Sequence, residues 1–530
     1  MITRSSTSAP GHNAADGYGA WTLRLQLDDD DPRRILKRLL TAGASRGSRA
    51  KTIQSVYYDT AAGKLLGAGY CLRTRSQGGK RVQHIAAASP TSVLRMPRNW
   101  TKPLADGVPS KDSIAGTPLV DILAGRALAK LMPVFSADIH RRRCVIEREG
   151  ARIVAILDTG AISVGQAAER ICELRLEIVA GPFVVLFDVA RELGQVFPAT
   201  LSLRSHGEKG FRLLHPQPGC AVGERHGDMQ AEMRTLDAID GICRNCAAAL
   251  LDDLALLRAD GDHNVLHQVR IGLRRLRAIL SFCRPVLGPE GADLPARLRH
   301  LAQFLGRARE FDVFCDRMLV PLRRDNPGAL GVDALLEAFE VKRREVRDEV
   351  LAHVRSPEML AFGLWLLERL GELMRSEPST SKQTRLREST WADFAKARLG
   401  RRLAAFLKAS RHLQSCATDE QHDIRIEAKK LRYATEAFQT IVGEHRGRQL
   451  VSKLQSLQDL LGELNDCATG HTLLLDYARD RAREGNAGLE LFAAGLAAAA
   501  CSPNRSEILA RAVATRDELV AIVRSLPGKR

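Results

Sequence analysis

A chain of 530 residues is too long for one ordinary domain and can bury several cores. Its 45% hydrophobic and 27% charged residues are the balance of a globular protein, and no run of about 18 apolar residues could cross a bilayer as a helix. The net charge of +17, from 79 Lys and Arg against 62 Asp and Glu, points to an anionic partner, while 5% aromatic residues weigh against base-stacking platforms.

Residues 1–18 are rich in Ser, Gly, Ala and Asn and are expected to be disordered, with no apolar stretch that would make a signal peptide. Eleven cysteines are scattered singly apart from Cys243 and Cys246. A lone CxxC lacks the second ligand pair of a structural zinc, and in a helix these thiols read as buried. Unpaired cysteines suit a reducing compartment, so a cytoplasmic location is expected.

Residues 19–215 read as an α+β domain. WTLRLQL, GYCLRTRS, ARIVAILD, AISVG and CELRLEI alternate with period two, and helical patterns intervene at DPRRILKRLLTAG and GPFVVLFDVARELGQVF. So many half-polar strands predict an antiparallel sheet closed into a barrel around a tunnel. Residues 216–228, with prolines and glycines and little apolar content, form the expected linker. From 229 to 530 the chain reads as an all-α bundle of two halves, about 229–375 and 391–530, separated by the polar stretch 376–390.

Within the helical part, HQVRIGLRRLR (267–277) separates into two faces. His267, Arg270, Arg274 and Arg277 share one stripe; Leu266, Val269, Leu273, Leu276 and Leu280 lie opposite. The pattern returns in HDIRIEAKKLRY as His422, Arg425, Lys429 and Arg432. One basic stripe on an amphipathic helix is ordinarily a solvated face. Two copies in matched order indicate an anion site, because clustered cations repel and arginine presents paired donors to phosphate oxygens. A second pair of segments follows, FLGRAREFDVF (304–314) and LLGELNDCATG (460–470): His267 to Gly306 is 39 positions and His422 to Gly462 is 40. This is an internal duplication, and it predicts that the two basic helices face each other across a pseudo-two-fold and line one cavity.

At these residues the helical half resembles the CHAD family, conserved-histidine α-helical domains. The resemblance covers about 230–530: His267-x-x-Arg270 with RRLR at 274–277, His422-x-x-Arg425 with KKLRY at 429–433, Leu305-Gly306 with Glu310 and Asp312, and LQDLLGELND at 457–466. Glu310 stands where the family tends to have Asp. The resemblance implies binding of inorganic polyphosphate in a basic cavity and association with polyphosphate granules and their proteins. The implied contact residues are His267, Arg270, Arg274, Arg275, Arg277, Arg309, His422, Arg425, Lys429, Lys430, Arg432 and Tyr433.

The first domain resembles the CYTH family, triphosphate tunnel metalloenzymes. The matching stretches are SVYYDTAAGKLLGAGYCLRTRS (55–76), FSADIHRRRCVIE (135–147), LDTGAIS (157–163), CELRLEI (172–178) and SHGEKGFRLL (205–214). Family enzymes carry an ExExK strand that helps hold a divalent metal and the triphosphate. Here Thr22, Arg24 and Gln26 occupy that strand, Ala86 and His206 replace two lysines, and Arg175 replaces the middle carboxylate of an acidic strand, leaving Glu173 and Glu177 as weak metal candidates. Arg24, Arg73, Arg75, Arg141, Arg143 and Arg175 remain as candidate anion-binding residues.

The expectation is therefore a polyphosphate-binding protein with no catalytic residues and no cofactor, whose first domain is a degenerate triphosphatase. The alternatives are a Mg²⁺- or Mn²⁺-dependent triphosphatase, needing Glu147, Glu149, Asp158, Glu173 and Glu177 to gather, and nucleic-acid binding, for which no recognition-helix or RNA-binding signature is present.

Overall fold

The computed structural model describes residues 21–28, 31–41, 43–45, 47–77, 79–87, 99–104, 108–215, 230–438, 441, 443–484, 488–500 and 505–524. The stretches expected to be disordered (1–18) and to act as linker (216–228) lie outside the described residues. The chain divides into two compact units, Met1–Pro218 and Gly219–Arg530.

The first unit is built on one antiparallel sheet: β1 (Thr22–Leu27), β2 (Lys51–Thr60), β3 (Tyr70–Gln77), β4 (Lys80–Ala87), β5 (Asn99–Pro103), β6 (Leu131–Arg148), β7 (Ala151–Val164), β8 (Ala167–Ala180) and β9 (Ala199–Leu201). The order is β5-β4-β3-β2-β6-β7-β8-β1-β9. The sheet is open, which corrects the expected barrel: β5 and β9 are its two edges and do not pair with one another. Alternation in a sequence shows that each strand has a polar and an apolar face, but says nothing about whether the outermost strands meet. Both edges are short, which limits the unpaired backbone they present.

Period two assigns the faces. Leu23, Leu25 and Leu27 of β1 and Leu174, Leu176 and Ile178 of β8 are buried on one side. The other side carries Thr22, Arg24 and Gln26 in register with Glu177, Arg175 and Glu173. Among the described residues, six helices accompany the sheet: α1 (Pro32–Thr41), α2 (Lys64–Gly67), α3 (Lys111–Ile114), α4 (Leu119–Ile122), α5 (Val184–Val196) and α6 (His206–Leu214). α5 packs on β1 and β8, and α6 packs on β6, β7 and β8. Phe211 of α6 joins Tyr57, Phe135, Ile139, Ile162 and Ile171 in an apolar cluster. Gly210 permits that approach, since a Cβ there would lie 2.1 Å from the Phe135 ring.

The second unit is all helix: α7 (Thr235–Asp260), α8 (His263–Leu287), α9 (Asp293–Phe314), α10 (Val320–Asp325), α11 (Val332–Arg355), α12 (Pro357–Arg375), α13 (Ser381–Glu388), α14 (Trp391–Ala409), α15 (Thr418–Ala437), α16 (Glu444–Glu484), α17 (Gly488–Ala500) and α18 (Arg505–Arg524). Asp262 caps α8 by accepting from the Asn264 N–H at 2.8 Å, and Gly288, at φ +76°, ends it. A π-helical turn, Cys315–Leu319, joins α9 to α10. The polar stretch 376–390 contains α13, which hydrophobic periodicity does not reveal. Its inward face is polar: Gln383 and Arg387 are buried and both donate to the Val286 carbonyl, at 2.9 and 3.1 Å.

The apolar stripe of α8 lies as its periodicity predicts, with Leu266, Val269, Leu273, Leu276 and Leu280 all buried. Leu273→Ala should therefore destabilise the helical unit by about 2–5 kcal/mol, while Arg274→Ala, one residue on, should cost about 0.5 kcal/mol or less. Urea unfolding followed by circular dichroism compares the two, and equal costs would contradict the facing.

Candidate functional site

α8 packs against both α9 and α15, and α15 packs against α16. Together these helices enclose a cavity of about 1450 Å³. α8 contributes His267, Arg270, Arg274 and Arg277, while α15 contributes His422, Arg425, Lys429, Lys430, Arg432 and Tyr433. Arg309 enters from α9. Eleven of the twelve residues singled out in the helical half thus line one space. Arg275 does not: one position beyond Arg274 turns it off the stripe by about 100°, and it pairs with Glu436 at 3.5 Å. Two further cations in the lining, Arg299 of α9 and Arg317 of the π-helical turn, escaped the sequence reading because neither belongs to a repeated stripe.

The second pair of repeated segments shapes the walls. A Cβ at Gly306 would lie 2.9 Å from Arg270 Nη1, and one at Gly462 would touch Arg425 at 3.8 Å. The two glycines thus occupy equivalent positions under equivalent guanidinium groups. His422 donates from Nδ1 to Asn465 Oδ1 at 2.7 Å, which fixes its tautomer. Tyr433 is buried, with the Arg432 guanidinium 4.2 Å from its ring centroid, so it supports a cation from below. Asp312 also points to structure, accepting from Arg343 Nε at 2.8 Å. Several cationic side chains are left incomplete: Arg270 Nη1, Arg277 Nε, Arg425 Nε and His267 Nδ1 are buried without a hydrogen-bond partner.

The charged face of the first unit is wired differently. Glu173 is buried and accepts from Ser202 Oγ at 2.8 Å and His206 Nε2 at 3.0 Å; Lys209 Nζ lies 2.5 Å from it and donates to Gln26 Oε1 at 2.8 Å. Lys209, one helical turn beyond His206, thus brings an ammonium to the same carboxylate. Burial alone would raise the Glu173 carboxyl, but His206, Lys209 and Arg24 outweigh it and hold the group well below the usual carboxylate range. Arg141 binds Asp158 through two hydrogen bonds of 2.6 Å. Arg73 donates to the Tyr57 hydroxyl at 3.1 Å. Glu177 Oε1 lies 2.9 Å from Arg175 Nε but off the N–H direction, so that N–H remains unsatisfied, as does Arg75 Nε. Burial, reinforced by Arg73 and Arg141, pushes Arg75 down to about 9; burial likewise takes Arg175 to about 10. Arg143, two residues along β6 from Arg141, is exposed.

These residues do not fit a divalent cation. Both oxygens of Glu173 are taken by protein donors, and its cross-strand neighbours are committed as well, Gln26 to Lys209 and Asp158 to Arg141. Among the described residues, no three His, Cys, Asp or Glu side chains are grouped to hold a metal. Glu173 and Glu177, the weak metal candidates, are instead counter-ions to Lys209 and Arg175.

A family model described as the CHAD domain matches residues 241–475. The helical unit carries a CHAD domain. Solved structures to which the chain is similar include the CHAD domain from the plant Ricinus communis, 24% identical over 57% of this chain and 95% of that one, with a TM-score of 0.43. PptA from Streptomyces chartreusis is 17% identical over 55% of this chain and 100% of its own, with a TM-score of 0.39. HpAC1 from Hippeastrum, described with a dominant triphosphatase activity, is 18% identical over 35% of this chain and 92% of its own, with a TM-score of 0.27.

The CHAD cavity is electrostatically loaded. Burial, followed by the charges of Arg274, Arg425 and Arg270, pushes Lys429 down to about 6 against the opposing pull of Asp466. Burial and Arg274 take Arg270 to about 10. Burial, then Arg309, Arg270, Arg274 and Arg317, holds His267 below its ordinary value. Glu310, in the same lining, is raised by burial. Between about pH 6 and the ordinary lysine value of 10.5, the unfolded chain binds a proton at Lys429 that the folded protein does not. The unfolding free energy of the free protein should therefore rise with pH through that window. Lys429→Met should flatten the slope of denaturation midpoints between pH 6.5 and 8.5, and an unchanged slope would place the titration elsewhere.

Proposed function

We propose that the chain binds inorganic polyphosphate in the CHAD cavity, with the two basic helices as halves of one duplicated unit. The observation that supports this reading is the set of buried, hydrogen-bond-deficient guanidinium groups on Arg270, Arg277 and Arg425, gathered with His267 and Lys429 around one space. Holding those groups together out of water costs free energy. A polyanion offsets the cost by supplying charge-assisted hydrogen bonds to unsatisfied donors and by releasing its own counter-ions. Oligophosphate is favoured over nucleic acid because aromatic side chains are scarce in the lining, where Phe314 and the buried Tyr433 are the two present. Attachment to polyphosphate granules and their proteins follows if the bound polymer is the granule's own.

In this reading the first unit is a CYTH-like relative that has given up hydrolysis. Arg24, Arg75 and Arg175 give its sheet face affinity for phosphate anions, but the carboxylates a metal would need are committed to Lys209, His206 and Arg141. Without metal-bound charge neutralisation, phosphoryl transfer loses several kcal/mol of transition-state stabilisation.

Titration of the full chain with polyphosphate of defined length should show log affinity falling linearly with log salt, by about 0.7–0.9 per neutralised phosphate if polyphosphate behaves as nucleic acids do. Affinity should strengthen as pH falls from 8 to about 6, because the bound chain favours the protonated forms of Lys429 and His267; calorimetry in buffers of different ionisation enthalpy reads the proton uptake. Tripolyphosphate with Mg²⁺ or Mn²⁺ should yield negligible phosphate. Absence of saturable polyphosphate binding would overturn the reading, and turnover of about 1 s⁻¹ or more would restore the triphosphatase.

A further inference from the structure

The duplicated stripes are alike in sequence and unlike in their electrostatic surroundings. On the α8 side, no carboxylate among the described residues lies within ion-pair distance of Arg270, Arg274, Arg277, Arg299 or Arg309. On the α15 side Arg425, Lys430 and Arg432 each have an internal anion. Lys430 Nζ lies 2.5 Å from Glu427 Oε1. Arg432 pairs with Glu436 and donates to Gln458 at 3.0 Å. Asp466 stands 3.9 Å from Arg425 and 3.7 Å from Arg317.

From this asymmetry we infer that the anionic chain seats along α8 and α9, and that the carboxylates of Asp466, Glu427 and Glu436 act as built-in competitors that hold Arg425, Lys430 and Arg432 back from it. The inference rests on the CHAD cavity being the polyphosphate site and adds which wall carries the ligand.

The physical reasoning is a comparison of exchange reactions. A phosphate oxygen meeting Arg274 or Arg277 fills a donor that has no acceptor among the described residues, and it relieves repulsion from neighbouring arginines. A phosphate oxygen meeting Arg432 or Lys430 must displace a carboxylate already in place and then face it at close range. The first exchange gains a charge-assisted hydrogen bond, whereas the second trades one for another. Arg274 is central to the bare wall, since its charge acts on Arg270, Arg277, Arg425 and Lys429 alike. The unpaired cations follow α8 from His267 to Arg277, a path of about 15 Å at the helical rise, with Arg309 near its start and Arg299 near its end. That is a ladder suited to an extended chain of repeating anions.

The test is an affinity series on the full chain with inorganic polyphosphate of one defined length at one salt concentration. Each alanine variant removes one positive charge, so the general attraction of the protein for anions changes equally throughout. Arg274→Ala, Arg277→Ala and Arg299→Ala should each weaken binding about tenfold or more, while Arg432→Ala and Lys430→Ala should each cost about threefold or less. Asp466→Asn, a change of charge with little change of shape, should tighten binding several-fold by releasing Arg317 and Arg425, and Glu427→Gln should act in the same direction. Thermal melts confirm that each variant is folded. If the wild-type chain does not bind, the polyphosphate reading itself falls. If it binds and the two sets of alanine variants lose affinity equally, or if Asp466→Asn leaves affinity unchanged or weaker, the seating along α8 and α9 is wrong.

Discussion

Mutual repulsion among cations held out of water is the constraint on which the helical unit turns. Arg270, Arg274, Arg277, Arg425 and Lys429 share one cavity, and burial and each other's charge together lower the proton affinity of Arg270, Arg277, Arg425 and Lys429. Nothing within the cavity fully offsets this cost, so the stability comes from behind. The leucine faces of α8 and α15 pack into the surrounding helices, with Leu266, Leu273, Leu276, Ile424, Ala428 and Leu431 all buried. Each basic helix is a two-sided device, and its apolar side holds its charged side in an unfavourable field.

The first unit meets a similar problem by another route. Its arginines are spread across adjacent strands, and acids are set among them: Asp158 under Arg141, Glu177 beside Arg175 and Glu173 against Lys209. A sheet face gives each side chain neighbours on two strands, so a charge can be balanced locally. A helix stripe offers neighbours only above and below, three or four residues away, and on α8 those are further cations.

Much of the cavity was legible in the sequence because a helical stripe is a local pattern. Spacing of three and four residues placed His267, Arg270, Arg274 and Arg277 together without reference to the rest of the chain, and repetition named their partners on α15. What spacing could not supply was anything set by tertiary register. Arg299 and Arg317 reach the cavity through the packing of α9 and the π-helical turn, and Arg275 leaves it by one residue of helical rotation. In the sheet, alternation sorted the faces of β1 and β8 correctly. Closure is a property of the two edge strands, and their short segments carry no signal about what lies beside them. The helix α13 stayed hidden for a related reason: its buried side chains are polar and are satisfied by the end of α8, a partner about a hundred residues away.

The glycines beneath the guanidinium groups have a consequence for the entropy of association. An arginine on an open surface samples many rotamers, and a ligand that fixes it must overcome that freedom, about 0.5–1.5 kcal/mol for each ordered side chain. Gly306 lets Arg270 lie close against α9, and Arg425 packs over Gly462 of α16, so contact with a neighbouring helix restricts both side chains. Part of the ordering is thus in place before any anion arrives. A cavity arranged in this way can discriminate by the spacing of its donors, since side chains that cannot relax toward a misplaced oxygen leave it unbound.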